Sequence, residues 1–189
     1  MLRVRFGGSA SPPKELEIAM REQLVAWAGD CVVRGDVSIS DGRLSDHVNQ
    51  NELLTFFGAT LDSLEDGHQV QMDELEVERQ ELHIIEVKGH RGDPARRLRT
   101  VPERVWMKVG PFEITGNLHR APSAAPLASL GRWARFVPMT EVEIRLEGKE
   151  DAGLRKDVVL VNRERISKTE VMTSIPFFAS EPWIAETAG

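Results

Sequence analysis

Seven residues in the middle of the chain have the types that bind phosphate and stack on nucleobases. They are four arginines and an arginine-tryptophan-arginine group: Arg91, Arg96, Arg97, Arg99, Arg132, Trp133 and Arg135. Guanidinium groups pair with phosphate oxygens, and an indole ring between them can stack on a base. The same residues could contact an acidic protein partner, because a guanidinium also binds carboxylates.

Residue patterns that carry catalysis or hold a cofactor are missing from the sequence. His47, His68, His83, His90 and His119 are scattered, and no two have the i, i+2 or i, i+4 spacing of a local metal site. There is no dinucleotide-binding or phosphate-binding glycine loop, no G-x-S-x-G and no H-E-x-x-H. His119 ends a predicted strand, and we interpret it as a hydrogen-bonded structural histidine. We therefore expect no catalytic residue, no cofactor and no metal, and the chain is not predicted to be an enzyme.

The aromatic C-terminal tail is a second candidate contact. Phe177, Phe178 and Trp183 lie within the last fifteen residues. Such a tail either docks back on its own domain or inserts into a neighbouring protein. Self-docking is the favoured interpretation, and docking on a partner stays open.

Charge is distributed unequally along the chain. Residues 23–87 carry three basic and fourteen acidic residues, a formal charge of −11, whereas residues 104–171 carry twelve and nine, or +3. The linker 88–103 adds +3, and the whole chain has a net charge of −6. An acidic face can simply keep a protein soluble, but it can also meet the basic segments within one chain or between chains.

Composition narrows the class of protein. No run of residues reaches the roughly 20 apolar residues that a membrane-spanning helix needs. Residues 1–6 are too few and too charged for a signal peptide, so we expect a cytoplasmic protein without a membrane contact. Cys31 is the single cysteine, lies in a valine-rich segment and is predicted to be a small buried residue.

The two halves of the sequence resemble each other in three blocks that occur in the same order. The blocks are Gly29 to Val37 with Gly110 to Leu118, Phe56 and Thr60 with Phe136 and Thr140, and Val77 to Val87 with Val161 to Val171. Gly35 and Gly116 occupy the same place in a predicted strand, where glycine indicates a bend or a bulge. We infer an internal duplication.

Each copy has the apolar alternation of short strands. The predicted strands are 24–28, 31–39, 56–61 and 75–87 in the first copy, and 105–109, 112–118, 136–144 and 158–166 in the second. A proline after a cap residue, followed by apolar positions at helical spacing, predicts a short helix from about Pro13 to Arg21. The predicted organisation is 1–22 N-terminal strand and helix, 23–87 acidic β module, 88–103 basic linker, 104–171 basic β module and 172–189 aromatic C-terminal tail.

This order of elements resembles the Sm-like (Lsm) small β-barrel, in which the second strand reads G-x-L-x-x-x-D-x-x-x-N and the last reads I-R-G-x-x-I. Gly35, Val37 and Asp41 have the family spacing, but Ser45 stands at the asparagine position. The second copy keeps Gly116 and Leu118 and has Pro122 at the aspartate position; the family's Arg-Gly pair reads Glu78-Arg79 and Asn162-Arg163. Most RNA-contacting residues of the family are thus replaced.

The second copy also resembles an uncharacterised bacterial domain family with the pattern G-x-[VL]-H and F-[VL]-P-[LM]-T, through Gly116 to His119 and Phe136 to Thr140. That resemblance implies no activity. The expected fold is mainly β, with two tandem small β-barrel (Sm/SH3-like) modules and a short N-terminal helix.

The expected function is a non-catalytic assembly or adaptor protein that acts through protein-protein contacts between its small β-barrel modules. A head-to-tail contact between the acidic and basic modules would give a homo-oligomer. The alternative is an Sm-like RNA-binding or other nucleic-acid-binding protein that uses the basic linker and the second module. Against it, the chain is acidic, with a pI near 5.5.

Overall fold

A computed structural model describes residues 4–5, 20–39, 43–88, 99–131, 134–149 and 153–172. Its strands and helix are β1 Val4–Arg5, β2 Met20–Ala28, β3 Cys31–Ile39, α1 Leu44–Gln50, β4 Leu53–Ser63, β5 Gln69–Glu78, β6 Leu82–Glu86, β7 Val101–Val109, β8 Phe112–Arg120, β9 Phe136–Leu146, β10 Leu154–Asn162 and β11 Ile166–Val171. Short 3₁₀ turns lie at Arg79–Glu81, Ala128–Gly131 and Arg163–Arg165. The protein is therefore mainly β, as predicted.

The strands form one antiparallel sheet in the order β1-β5-β4-β3-β2-β6-β10-β9-β8-β7-β11. The described residues do not form the two separate barrels that the sequence predicted. The reason is β6, which pairs with β2 on one side and with β10 on the other, so backbone hydrogen bonds cross the boundary between the predicted modules. The outermost strands β1 and β11 do not pair with each other in the part of the chain described, and the sheet is open.

Strands β2 to β6, here called the first half, and strands β7 to β11, the second half, have the same strand order. When the five strands of each half are numbered along the chain, they lie side by side in the order fourth, third, second, first and fifth. This order is the same in both halves. The register shifts at Gly35, between β3 and β4, and again at Gly116, between β8 and β9. The predicted glycine bulges are confirmed at both positions.

Close packing explains the choice of glycine at these bulges. A Cβ atom at Gly35 would lie 3.0 Å from the carbonyl oxygen of Phe57, and one at Gly116 would lie 3.0 Å from the side chains of Met139 and Val142. Such distances are shorter than ordinary van der Waals contact. The strands could not approach this closely with any larger residue.

The register disagrees with the middle block of the sequence match. Arg34, next to the first bulge, lies opposite Thr60, and its counterpart Thr115 lies opposite Glu143. Thr60 therefore corresponds in position to Glu143, not to Thr140. The two alignments differ by three residues, an odd shift that would exchange the two faces of the strand, so the middle block does not match equivalent positions.

Two hydrophobic clusters lie on opposite faces of the sheet. Successive residues of β6 show this, since Ile84 packs in one cluster and Ile85 in the other. Leu160 of β10 joins the cluster of the first half, whereas Trp27 of β2 joins that of the second. The central strands β2, β6 and β10 are thus covered on both faces, and the two halves share their cores.

The predicted helix from Pro13 to Arg21 is wrong at its end, because Met20 and Arg21 pair with β3 as strand residues; residues 13–19 lie outside the described residues. The i, i+4 spacing that favoured a helix also fits a strand, where every second residue shares a face. Helix α1 was not predicted, and the last three residues of the predicted linker begin β7.

The predicted strands 75–87 and 158–166 each divide at a 3₁₀ turn, Arg79–Glu81 in the first half and Arg163–Arg165 in the second. Each turn separates the fourth strand of its half from the fifth, which then lies on the opposite side of that half's sheet. The turn is therefore what allows β6 to reach β10.

Cys31 begins β3, is half-buried and packs against the cluster of the first half. Burial, with a smaller effect of the Asp30 carboxylate, raises the pKa of its thiol to about 12. The thiol is therefore protonated and unreactive at neutral pH.

None of the helices described here is long and apolar enough to cross a bilayer.

Candidate functional site at the junction and edges of the sheet

The predicted phosphate-binding residues are only partly placed. Arg91, Arg96, Arg97, Arg132 and Trp133 lie outside the described residues, as do Phe177, Phe178 and Trp183 of the tail. The two that are placed occupy separate positions, Arg99 exposed before β7 and Arg135 half-buried before β9.

Arg135 has an acidic environment. Its guanidinium lies 2.9 Å from the carboxylate of Glu164, and it lines a shallow depression with Glu52, Glu78 and Arg79, whose guanidinium donates to the carbonyl of Asn49. A phosphate entering this depression would meet carboxylates, which repel it. Nucleic-acid binding by the seven residues stays a prediction.

His119 is hydrogen bonded through both ring nitrogens, as predicted. Its Nε2 lies 2.8 Å from Oγ1 of Thr140, and its Nδ1 lies 3.2 Å from Oγ1 of Thr100. Within the described ranges, no three histidine, cysteine or carboxylate side chains come together as a metal site.

At the junction between β6 and β10, every residue of β6 that pairs with β10 is buried. Ile84 lies opposite Val161 and Ile85 opposite Leu160, and all four are at most 1% exposed. The amide of Val87 continues the ladder by donating to the carbonyl of Val158, 3.2 Å away. A fully paired strand that is apolar on both faces is typical of a sheet interior.

Side chains from both halves add hydrogen bonds to this junction. Asn49 of α1 donates to the carbonyl of Phe136 at 3.2 Å and accepts from the amide of the same residue at 2.8 Å, as a neighbouring strand would. The wholly buried Asn162 donates to the carbonyl of Leu82 at 2.8 Å. Arg165 donates twice to the carbonyl of Gln80, at 2.8 and 2.6 Å.

His83 lies between the hairpin turns of the two halves. A Cβ atom at Gly29 would lie 3.5 Å from its ring, and one at Gly110 only 2.4 Å, so both turns pack on the imidazole. Burial, followed by the charge of Arg165, lowers the pKa of His83 from its ordinary value. The neutral ring is thus a structural part of the junction.

Glu86, at the end of β6, is buried. Its carboxylate lies 2.8 Å from Nζ of Lys156, which also lies 5.9 Å from the centre of the Trp27 ring. Glu170, its sequence counterpart, is exposed and pairs with Lys168 of its own strand at 2.6 Å. These two carboxylates, equivalent in sequence, therefore have different surroundings.

The edge of the sheet at β5 is acidic. Its residues 69–74 are exposed except for the half-buried Met72, whereas Leu75 and Val77 are fully buried. The acidic residues of this strand are Asp73, Glu74, Glu76 and Glu78. Among the described strands, only the two-residue β1 lies beyond β5.

The opposite edge, at β11, is polar on both faces. Its residues Ser167, Lys168 and Glu170 are exposed. The amide of Met172 donates to the carbonyl of Arg104 on β7, so the amides of Thr169 and Val171, on the alternate side of the strand, face outward. Charged residues at an edge strand limit unspecific pairing with other chains.

A polar depression beside β9 was not predicted. Glu141 has a positive φ of 52°, and hydrogen bonds from Arg104 to its carbonyl and from Asn117 to its carboxylate, at 3.0 and 2.9 Å, hold it there. The corresponding residue of the first half is Gly58, for which a positive φ costs little. No sequence pattern marks Glu141, because the strain arises from the bulge in β9.

Comparison with known proteins finds no protein-family model, no curated protein and no solved structure that matches the chain.

Proposed function

We propose that the protein is a non-catalytic assembly or adaptor protein that acts through contacts at the edges of its sheet. The observation that carries the proposal is the junction of β6 with β10. There, two five-stranded halves join edge to edge through backbone hydrogen bonds, an apolar contact on each face and the side-chain bonds of Asn49, Asn162 and Arg165. Since one half pairs with the other through an edge strand, the remaining outer edges can pair with a strand of another chain in the same way.

We further infer that the two halves are related units of the Sm-like or SH3-like type and arose by duplication. Their common strand order supports this, as do the bulges at Gly35 and Gly116 and the 3₁₀ turn between the fourth and fifth strands of each half. Three independent features at the same places are hard to obtain from unrelated sequences.

Charge supports the β5 edge as the surface that a partner contacts. The first half is strongly acidic and the second is weakly basic, and the acidic residues of β5 line an edge that the second half does not cover. Attraction between such surfaces speeds association and weakens as salt screens it. The partner that this charge fits best is a second copy of the chain.

The test is the mass of the chain in solution, measured by light scattering over a range of protein concentrations at low and at high salt. We expect self-association at low salt that declines at high salt. The double variant Glu74→Lys/Glu76→Lys should weaken it at least several-fold, whereas Glu65→Lys/Asp66→Lys, the same charge change in the exposed turn before β5, should not. A monomer under all conditions, with no partner recovered, would contradict the proposal.

A further inference from the structure

Strand β1 takes the same place on β5 that β6 takes on β10. Counted from the two bulge glycines across the paired strands, Val77 of β5 corresponds to Val161 of β10. Val161 lies opposite Ile84 of β6, and Val77 lies opposite Val4 of β1. The N-terminal strand therefore continues the first half as the fifth strand of a neighbouring half would.

The edge of β5 favours a pairing strand with an apolar residue followed by a basic residue, as in β1. The position opposite Val77 should hold an apolar residue, because Val77 is fully buried and its equivalent Val161 meets Ile84. Strand β1 supplies a valine there and a basic residue, Arg5, opposite Glu76. If strand β11 of a second copy paired with β5 as β6 pairs with β10, it would place Lys168, the counterpart of Ile84, opposite the buried Val77.

The segment between β1 and β2 has enough residues for β1 to reach a second molecule. Its ladder on β5 has only two residue pairs, and so short a strand is marginally held. Four strand spacings separate it from β2, roughly 19 Å at about 4.8 Å each. The fourteen residues between Arg5 and Met20 could span at most about 50 Å, enough to reach a second molecule.

We propose that β1 is an exchangeable strand and that the β5 edge accepts the N-terminal strand of a second copy in place of its own. This rests on the proposed function and supplies its contact: each copy donates a strand with an alternating apolar and basic pattern to an acidic edge. Exchange of identical elements joins copies without a new interface having to be built.

Disulfide trapping between chains tests the exchange. The amide of Arg79 donates to the carbonyl of Glu52, the residue just before β4, so the amide of Val77 also faces β4. Val4 with Val77 is therefore a non-hydrogen-bonded pair. The Cα atoms of such a pair lie about 4.5 Å apart, within disulfide range. Chains carrying Val4→Cys and chains carrying Val77→Cys, both with Cys31→Ser, are refolded together and mildly oxidised.

Mass spectrometry should find the Val4→Cys/Val77→Cys cross-link between chains in several-fold excess over that obtained with Val70→Cys, an exposed position on the same strand out of register. The pair Arg5→Cys with Glu76→Cys repeats the test if the buried Val77→Cys variant folds poorly. Equal yields with Val70→Cys, or a disulfide that forms only within a chain carrying both substitutions, would overturn the exchange.

The light-scattering mass separates this result from the proposed function. If the chain self-associates but the cross-link between chains does not form, the proposed function stands and the strand exchange is overturned, because the copies then use another contact. A monomeric chain that forms only the intrachain disulfide overturns both.

Discussion

Strands β6 and β11 hold the same place in the two halves of the sheet and differ in almost every respect. All five residues of β6 are buried, whereas β11 has four exposed and two half-buried residues among its six. Ile84 and Ile85 of β6 correspond to Lys168 and Thr169 of β11. Position in the sheet, interior or edge, therefore decides the composition of a strand whose backbone pairing to its own half is the same.

The charged residues of the two strands follow the same rule. Glu86 has its lysine partner on the adjacent strand β10, so its ion pair ties the two halves together. Glu170 pairs with Lys168 of its own strand, β11, so this ion pair does not connect the two halves. Substitutions in the two strands, with matched controls, test the comparison.

The largest effect is expected for Ile84→Lys, which gives β6 the residue of β11. Ile84 is fully buried, and an unpaired ammonium group there should lower the free energy of unfolding by about 4 kcal/mol or more. Urea denaturation measures this. Ile84→Val, which only removes a methylene group, should cost about 1 kcal/mol; a similar loss for both variants would show that the site is not charge-sensitive.

A smaller loss is expected for Glu86→Gln, which leaves Lys156 without its counter-ion. A broken buried pair costs several kcal/mol, but these side chains keep 11% and 19% of their exposure, so we expect about 2 kcal/mol. The matched variant Glu170→Gln, on an exposed pair, should cost about 0.5 kcal/mol or less. Equal losses in thermal or urea unfolding would contradict the distinction between junction and edge.

Protonation of His83 should weaken the junction at acid pH. Its pKa is lowered in the folded state, mainly by burial and then by Arg165, while a hydrogen bond with the Glu81 backbone and then the charge of Asp30 act more weakly in the opposite direction. The unfolded chain therefore binds the proton first as the pH falls below about 6.5, and stability is lost from there downward. Unfolding free energies measured between about pH 7 and pH 5 should decline less steeply in His83→Gln.

The exposed His68→Gln variant is the control for this pH dependence and should keep the native slope. His47, whose pKa burial also lowers, adds a contribution of the same sign in both variants. An unchanged slope in His83→Gln would assign the pH dependence to other groups.

The smallest change in stability is expected for Lys168→Ile, which gives β11 the residue of β6. The side chain is exposed, so the free energy of unfolding should change by no more than about 0.5 kcal/mol. Self-association should increase instead, because an apolar edge strand is a better template for pairing. Light scattering at matched concentrations measures this, and the variant Lys168→Gln separates loss of charge from gain of apolar surface.

Much of the local structure follows from sequence patterns. The strand Cys31–Ile39 was predicted to the residue, and the bulges follow from the glycines at matching places. Helix α1 was missed because it has only seven residues and two buried positions, Leu44 and Val48, too few for a periodicity to be seen. The N-terminal helix was mispredicted for the related reason that spacings of four fit strands as well.

The candidate site was less predictable than the fold. Arginines and aromatic residues are visible in a sequence, but the residues that join the halves, Asn49, His83 and Asn162, are single polar residues without a motif. The partners of Asn49 and Asn162 are backbone atoms 87 and 80 residues away along the chain. No local pattern records such a contact.

By itself, the sequence determined the mainly β class, most of the strands, the bulge glycines and the contrast between an acidic and a basic half. Apolar alternation and charge are properties of neighbouring residues, so they can be recognised along the chain. Only the tertiary structure decided that β6 bridges the halves, that Glu86 is buried while Glu170 is exposed, and that β1 lies on β5. Strand pairing is settled by long-range packing, in which residues of similar local pattern acquire different neighbours.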